Sequence, residues 1–246
     1  MQELLKPIRT ESLKDVCVAR LEELILSGRV AIGRKLPSER ELALQLGVSR
    51  PVVHEGLLDM AAKGLVSMIP RVGTVVNDYR KEGSIALLTS LLNYHNGKLE
   101  PKLLESLLKM RALFETETAR LAAINRTGDH LRALNELLEA EANTASHRVA
   151  EITRLDFQFH HRVALASGNV IYPLLINSFK QFYTSLSGQF FDDSRVVSVV
   201  FDFHRKLVDA FVARDANMAE EIMMAMLAHG EKHLIAMIEE NKPLNL

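Results

Sequence analysis

Two groups of residues in this chain carry recognisable chemistry. The first is Asp156-Phe157-Gln158-Phe159-His160. Asp and His four residues apart lie on one face of a helix, and an oxygen and a nitrogen donor so placed can share a divalent cation. His204 and His229 fall in later helical segments and would complete a set of three His and one Asp. The same spacing serves a plain hydrogen-bonded pair equally well, so spacing alone leaves both readings open. The second group is Ser49-Arg50-Pro51-Val52-Val53-His54, at the start of a helix that follows a short helix and a Gly-containing turn. A helix presented in this way enters the DNA major groove by its N-terminal end. Arg50 has the fork geometry that suits guanine O6 and N7. The hydroxyls of Ser38 and Ser49, with the helix N-termini, favour phosphate.

These side chains need elements to position them. Residues 12–27 carry an apolar stripe of Leu13, Val16, Cys17, Leu21, Leu24 and Ile25, closed by Gly28. Ser38-Glu39-Arg40-Glu41 has the form of a capping box and starts a short helix. Gly47 suits a left-handed turn, and Ser49 caps a third helix with Pro51 in its first turn. That helix ends at Gly64. Two β-prone runs follow, 65–69 and 72–76, with a hairpin tip Pro70-Arg71-Val72-Gly73-Thr74. Three helices and a hairpin predict a winged helix-turn-helix, with Arg71, Gly73 and Thr74 in the wing near a groove. From Ser84 on the pattern is helical, with breaks at Gly97/Pro101, 127–129, 167–169, 192–194 and Asp215. This predicts an antiparallel all-α bundle of six or seven helices, including a single helix over 171–188. The fold class is therefore mainly α.

Composition divides the chain at the same place. All 10 Phe and 4 Tyr fall at or after Tyr79, so residues 1–78 must build a core without aromatics. The polar stretch 77–83 reads as a linker between a DNA-binding domain over 1–78 and an effector-binding and dimerisation domain over 84–246. Residues 1–78 hold 11 Lys/Arg against 10 Asp/Glu, and the remainder hold 19 against 21. With so little asymmetry, DNA binding must rest on a local patch rather than on bulk charge. No apolar run approaches the roughly 20 residues that span a bilayer, and the N-terminus lacks a secretory core. A cytoplasmic protein without membrane partners is expected. Cys17, the single cysteine, lies on an apolar stripe and reads as a small buried hydrophobe.

Four blocks resemble the GntR family of bacterial regulators: Leu36-Pro37-Ser38-Glu39-Arg40-Glu41-Leu42-Ala43, Leu46-Gly47-Val48-Ser49-Arg50, Gly64-Leu65-Val66 and Gly73-Thr74-Val75-Val76. The resemblance implies DNA contacts from Arg40, Arg50 and the wing around Arg71 and Gly73. Family members usually carry Arg or a similar residue where this chain has His54, which points to a different operator sequence. The helical segment resembles the effector domain of the FadR subfamily through Arg111-Ala112-Leu113-Phe114-Glu115, Asp156 to His160, Ala166-Ser167-Gly168-Asn169 and His204 with Leu207-Val208-Asp209-Ala210-Phe211. In many such members the matching Asp and three His hold a metal, such as zinc or nickel, beneath a small carboxylate effector. Arg111 would face that carboxylate. The last ligand departs: the usual His falls at Met226 here, and His229 lies one turn further on.

A second likeness runs through Asn169-Val170-Ile171-Tyr172, Leu174, Asn177, Lys180, Tyr183-Thr184, Gly188 and Phe191, toward the acyl-CoA-responsive, metal-free side of the subfamily. There the counterpart of His160 is a Phe, and Asn169 and Tyr172 would belong to the effector site. The expectation is a ligand-responsive homodimeric regulator on a pseudo-palindromic operator, and not an enzyme. Its effector is a small carboxylate over a metal, with long-chain acyl-CoA as the alternative. A metal-dependent hydrolase or lyase is the rival from another class. It requires a general base beside the metal, no Glu set forms a known hydrolase motif with these His, and it leaves the wing unexplained.

Overall fold

The computed structural model describes residues 12–94 and 101–239. These form twelve helices and one two-stranded sheet, and fall into two compact units, Met1–Tyr94 and His95–Leu246.

In the first unit, α1 (Leu13–Leu26) packs on α3 (Arg50–Ala62), and α2 (Glu39–Leu46) packs against α3. Local chemistry sets each boundary. Ser38 and Glu41 form the complete capping box of α2, and Gly47 ends that helix in the left-handed region at φ 68°. Ser49 is the N-cap of α3 but its hydroxyl makes no capping bond. The wing pairs β1 (Val66–Ile69) with β2 (Gly73–Val76) in antiparallel register, Val66 opposite Val76 and Ile69 opposite Gly73. Residues 33–36 also pair along β2: Leu36 N–H donates to the Thr74 carbonyl and Gly33 N–H to that of Val76. The core is aliphatic, around Val18, Leu21, Leu42, Val53, Leu57, Met60 and Leu65. Cys17 is buried among them, 3% exposed.

The segment read as a linker is structured. Asp78 caps a one-turn helix, α4 (Tyr79–Glu82). The next helix, α5 (Leu87–Tyr94), packs on α1, and its Leu87 joins the first unit's core. Lys63, Glu22 and Ser90 tie α3, α1 and α5 together: Lys63 Nζ donates to Glu22 Oε1 (2.7 Å) and Ser90 Oγ donates to the same oxygen (2.9 Å). Gly64 makes this junction possible. Its φ is +78°, and a Cβ there would lie 2.0 Å from the Glu82 carbonyl oxygen.

The second unit is a helical bundle of α6 (Pro101–Asn125), α7 (Gly128–Ala142), α8 (Val149–Ala166), α9 (Tyr172–Ser178), α10 (Lys180–Phe191), α11 (Ser194–Ala213) and α12 (Ala216–Glu239). The helix expected over 171–188 is broken at Phe179, which caps both α9 and α10. Helix α8 lies centrally, against α6, α7, α9 and α10, while α11 and α12 pack on each other and on α6. Among the described residues, no helix is long and apolar enough to cross a membrane.

Candidate functional site

In the first unit the exposed N-terminal end of α3 presents Arg50 and His54 side by side, both held by one carboxylate on α2. Arg50 Nε donates to Glu39 Oε2 (2.9 Å), and His54 Nδ1 lies 2.7 Å from Glu39 Oε1. These bonds, His54's first and then Arg50's, hold Glu39 below the ordinary carboxylate range. Ser49 and Arg40 are exposed beside them, and the hydroxyl of Ser38 is engaged in the capping box. At the wing tip Arg71 is exposed with φ 65°, an unusual conformation for a side chain other than glycine. Gly73 is exposed as well. Thr74 differs from its neighbours: it is 7% exposed, on the buried side of an alternating β2 whose free edge is paired by residues 33–36. Its side chain is therefore not presented at the wing surface. Glu39 is the residue that sequence reasoning missed here.

In the second unit the bundle brings Asp156, His160 and His204 together, with one donor atom from each within 4.8 Å of the others. All three are buried, at 4%, 2% and 0% exposure. The two imidazoles are oriented alike. His204 Nδ1 lies 2.7 Å from Glu141 Oε1 of α7, and His160 Nδ1 sits against Glu115 Oε2 of α6. A carboxylate only accepts, so Nδ1 of each ring is the donor and Nε2 points the other way. Both Nε2 atoms then face the same oxygen, Asp156 Oδ1, at 3.8 Å from His160 and 3.6 Å from His204. Those separations are too long for hydrogen bonds. They match the spacing of about 3–4 Å between ligand atoms that share one ion at about 2.1 Å. His204 Nε2 is buried with no hydrogen-bond partner.

Asp156 Oδ2 and Glu115 Oε1 are engaged, whereas Glu141 Oε2 is buried without a hydrogen-bond partner. Tyr183 donates to Asp156 Oδ2 (2.8 Å) and accepts from Arg111 Nη2 (2.7 Å), while Arg111 Nε pairs with Glu115 Oε1. Burial alone would raise Glu115, but Arg111 and then His160 outweigh it and hold the carboxyl down to about 2. Burial, with Asp156 and Glu115 nearby, raises the Tyr183 phenol well above its ordinary value, so it remains a donor. Three buried carboxylates, Asp156, Glu115 and Glu141, face one guanidinium, an excess of two formal negative charges. A divalent cation balances that excess, and the donor set fits one.

Two cavities adjoin this network, each of about 40 Å³. One is lined by Arg111, Asp156, His160, Ser187, Phe190 and Met226. The other is almost wholly apolar, with Leu107, Phe114, Phe179 and Phe182 beside Arg111 and Glu115. Met226 is buried at 4% exposure, so a thioether forms the wall where the family resemblance places a fourth ligand. His229 is not part of the cluster. It packs beside Phe190 and Phe203, and its Nε2 is buried without a partner. Arg111 borders both cavities. Asn169 and Tyr172 line neither: Asn169 Oδ1 accepts from Ile171 N–H (2.9 Å) in the turn before α9, and Tyr172 packs edge-on against Phe114 (5.1 Å).

A helix-turn-helix with a hairpin wing, accompanied by a helical unit with a polar buried centre, defines a ligand-sensing DNA-binding regulator. Family models agree: residues 13–76 match the "Bacterial regulatory proteins, gntR family" and residues 106–229 match the FCD domain. The chain is 29% identical over 234 residues to the HTH-type transcriptional regulator Mce2R of Mycobacterium tuberculosis, covering 95% of this chain and 96% of that one. It is 30% identical over 185 residues to the fatty acid metabolism regulator protein of an Enterobacter species, covering 75% of each. Among solved structures, Lar of Listeria monocytogenes aligns with a TM-score of 0.62 at 16% identity, over 93% of this chain and 99% of that one. The chain belongs to the GntR family and carries an FCD effector domain; it is a DNA-binding transcription regulator rather than an enzyme.

Proposed function

We propose that this regulator senses a small carboxylate metabolite over a divalent metal ion held by Asp156, His160 and His204. The observation that carries this reading is the convergence of two carboxylate-anchored imidazoles on Asp156. The donors are those of zinc or nickel sites. A bound cation of this kind would anchor a carboxylate by Lewis acidity. The chain's own residues do the rest. Glu115 and Glu141 orient the rings, Tyr183 fixes Asp156, and the one-quarter-exposed Arg111 side chain supplies a guanidinium at the cavity. His229 stands outside this set.

The DNA-reading residues are Arg40, Ser49, Arg50, His54 and the wing residues Arg71 and Gly73, with Ser38 serving mainly to cap α2. The protein acts in the cytoplasm as a homodimer on a pseudo-palindromic operator. Effector binding shifts the balance between DNA-competent and DNA-incompetent arrangements. The test joins metal analysis to operator binding. Purified protein should hold about one divalent ion per chain, and loss of the ion from the Asp156→Asn variant should abolish the response of operator binding to added carboxylates. Metal-free wild-type protein would sink this reading.

One observation favours a second effector. Relatives named as fatty acid metabolism regulators match at 27% and 30% identity, and the apolar cavity beside Arg111 has the chemistry for an acyl chain. Its size argues for the first reading. About 40 Å³ holds only a few water-sized groups at roughly 10–15 Å³ each, so a long chain requires the bundle to open. Native mass spectrometry separates the two, by a bound metal or a bound acyl-CoA.

A further inference from the structure

A third cavity in the effector domain lies apart from the Asp156, His160 and His204 cluster. It is a cleft of about 790 Å³ between α8 and the α9–α10 segment, in the range of small-molecule sites. Its walls are two helical faces read at helical spacing. Thr153, Arg154, Phe157, Gln158 and His161 come from α8, and Asn177, Lys180, Thr184 and Gly188 from the opposite wall. A seam between packed helices is ordinarily apolar. This one carries two cations, two amides and two hydroxyls, and no carboxylate lines it.

Among the described residues its cations are not neutralised by the protein. Arg154 donates to the amide oxygen of Gln158 (2.8 Å), and Lys180 Nζ stands 5.2 Å from the centre of the Phe157 ring. Among the described residues neither is paired with a carboxylate. At the floor, Thr153 is 6% exposed and its Oγ1 has no hydrogen-bond partner. Buried hydroxyls are rarely left so, and a helical threonine ordinarily bonds back to its own helix. His161 Nε2 is likewise buried and unpartnered. Gly188 sits within α10, where glycine weakens a helix. A Cβ at that position would lie 3.9 Å from Thr153 Oγ1 and project into the cleft floor.

From this combination we propose that the cleft is a second effector site, which binds an oxyanion-bearing polar metabolite, a phosphate or polycarboxylate, between Arg154 and Lys180. The Thr153 hydroxyl and the amides of Gln158 and Asn177 recognise its polar body. This site shares no ligand with the metal centre, so it stands whether or not that centre holds an ion. It is positioned to communicate with it, because Phe157 packs edge-on against Tyr183 (5.5 Å), whose hydroxyl holds Asp156.

The test is isothermal titration of the full chain at fixed ionic strength with two probes, sodium pyrophosphate and citrate. At least one should bind saturably, and which one does identifies the anion class. The Arg154→Gln/Lys180→Gln double variant should weaken that binding at least about tenfold, as expected for lost charge-assisted hydrogen bonds. Thr153→Val, nearly isosteric, should weaken it as well while raising the melting temperature of the ligand-free protein. Lys206→Gln removes a lysine paired with Asp202 elsewhere in the domain and should leave binding unchanged. Absence of saturable binding by either probe up to about 10 mM overturns the proposal. So does binding that persists undiminished in the double variant. A Thr153→Val protein that is more stable but binds equally well assigns Thr153 a purely structural place and removes it from the site.

Discussion

Replacing Glu141 with Gln tests the reasoning about the buried centre without touching a proposed ligand. Glu141 is 2% exposed and its Oε1 lies 2.7 Å from Nδ1 of His204, itself fully buried. Gln keeps the shape and an oxygen acceptor, so the ring orientation and the fold should survive. What is lost is the negative charge that makes the far nitrogen a better donor. Removal of such a supporting carboxylate typically costs about 10–100-fold in metal affinity, or about 1.4–2.8 kcal/mol. The assay is competition of zinc between the protein and a chelator of known affinity, with circular dichroism to verify the fold. Wild type should bind one ion per chain, and Glu141→Gln should bind it about 10–100-fold more weakly. A variant within about twofold of wild type would show that Glu141 does not act through His204 on a metal. The companion Glu141→Ala should be worse in a different way. It leaves the Nδ1–H group buried and unpaired, at about 1–3 kcal/mol of fold stability.

Three further outcomes are expected. Arg71→Gly relieves a left-handed residue worth about 1 kcal/mol, so thermal stability should hold or rise while operator affinity, read by fluorescence anisotropy, falls by about 1–3 kcal/mol; unchanged affinity would remove Arg71 from the interface. Gly64→Ala places a Cβ 2.0 Å from the Glu82 carbonyl at positive φ and should destabilise the first unit by more than about 2 kcal/mol in urea unfolding. Glu39 has a depressed folded-state value relative to its ordinary 4.5, so its pairing with His54 and Arg50 adds stability that is fully present above about pH 5 and is lost as pH falls through 4.5 and below. Acid unfolding should therefore be less steep in Glu39→Gln, and identical slopes would contradict the pairing.

What was legible from sequence was what short-range chemistry decides. The capping box of Ser38 and Glu41, the left-handed Gly47 and the Gly64 stop each act within a few residues, so the three helices and hairpin of the first unit were readable one after another. Asp156 and His160 were legible as a pair because one turn of α8 fixes their shared face. The break of 171–188 at Phe179 is not legible, because nothing in the local pattern announces it. The burial of Thr74 is not legible either, because the pairing of residues 33–36 with β2 is not a local feature.

The candidate centre itself was decided by packing. His204 of α11 meets Glu141 of α7 across 63 residues, and His160 of α8 meets Glu115 of the separate helix α6, contacts that no caps or spacings specify. A faint signal existed: Glu115 and Glu141 sit on the buried faces of α6 and α7, in register with Leu108 and Leu134 seven residues earlier. A charge on an apolar stripe requires a partner, but the stripe does not say which. The same holds for Glu39, exposed to view as a helix-start acid yet bonded across the turn to Arg50 and His54. Sequence by itself determined the family, the helix-turn-helix and which imidazoles were available. Only the tertiary structure decided that His204 joins the centre and His229 does not, because that choice depends on how α11 and α12 pack rather than on spacing along either helix.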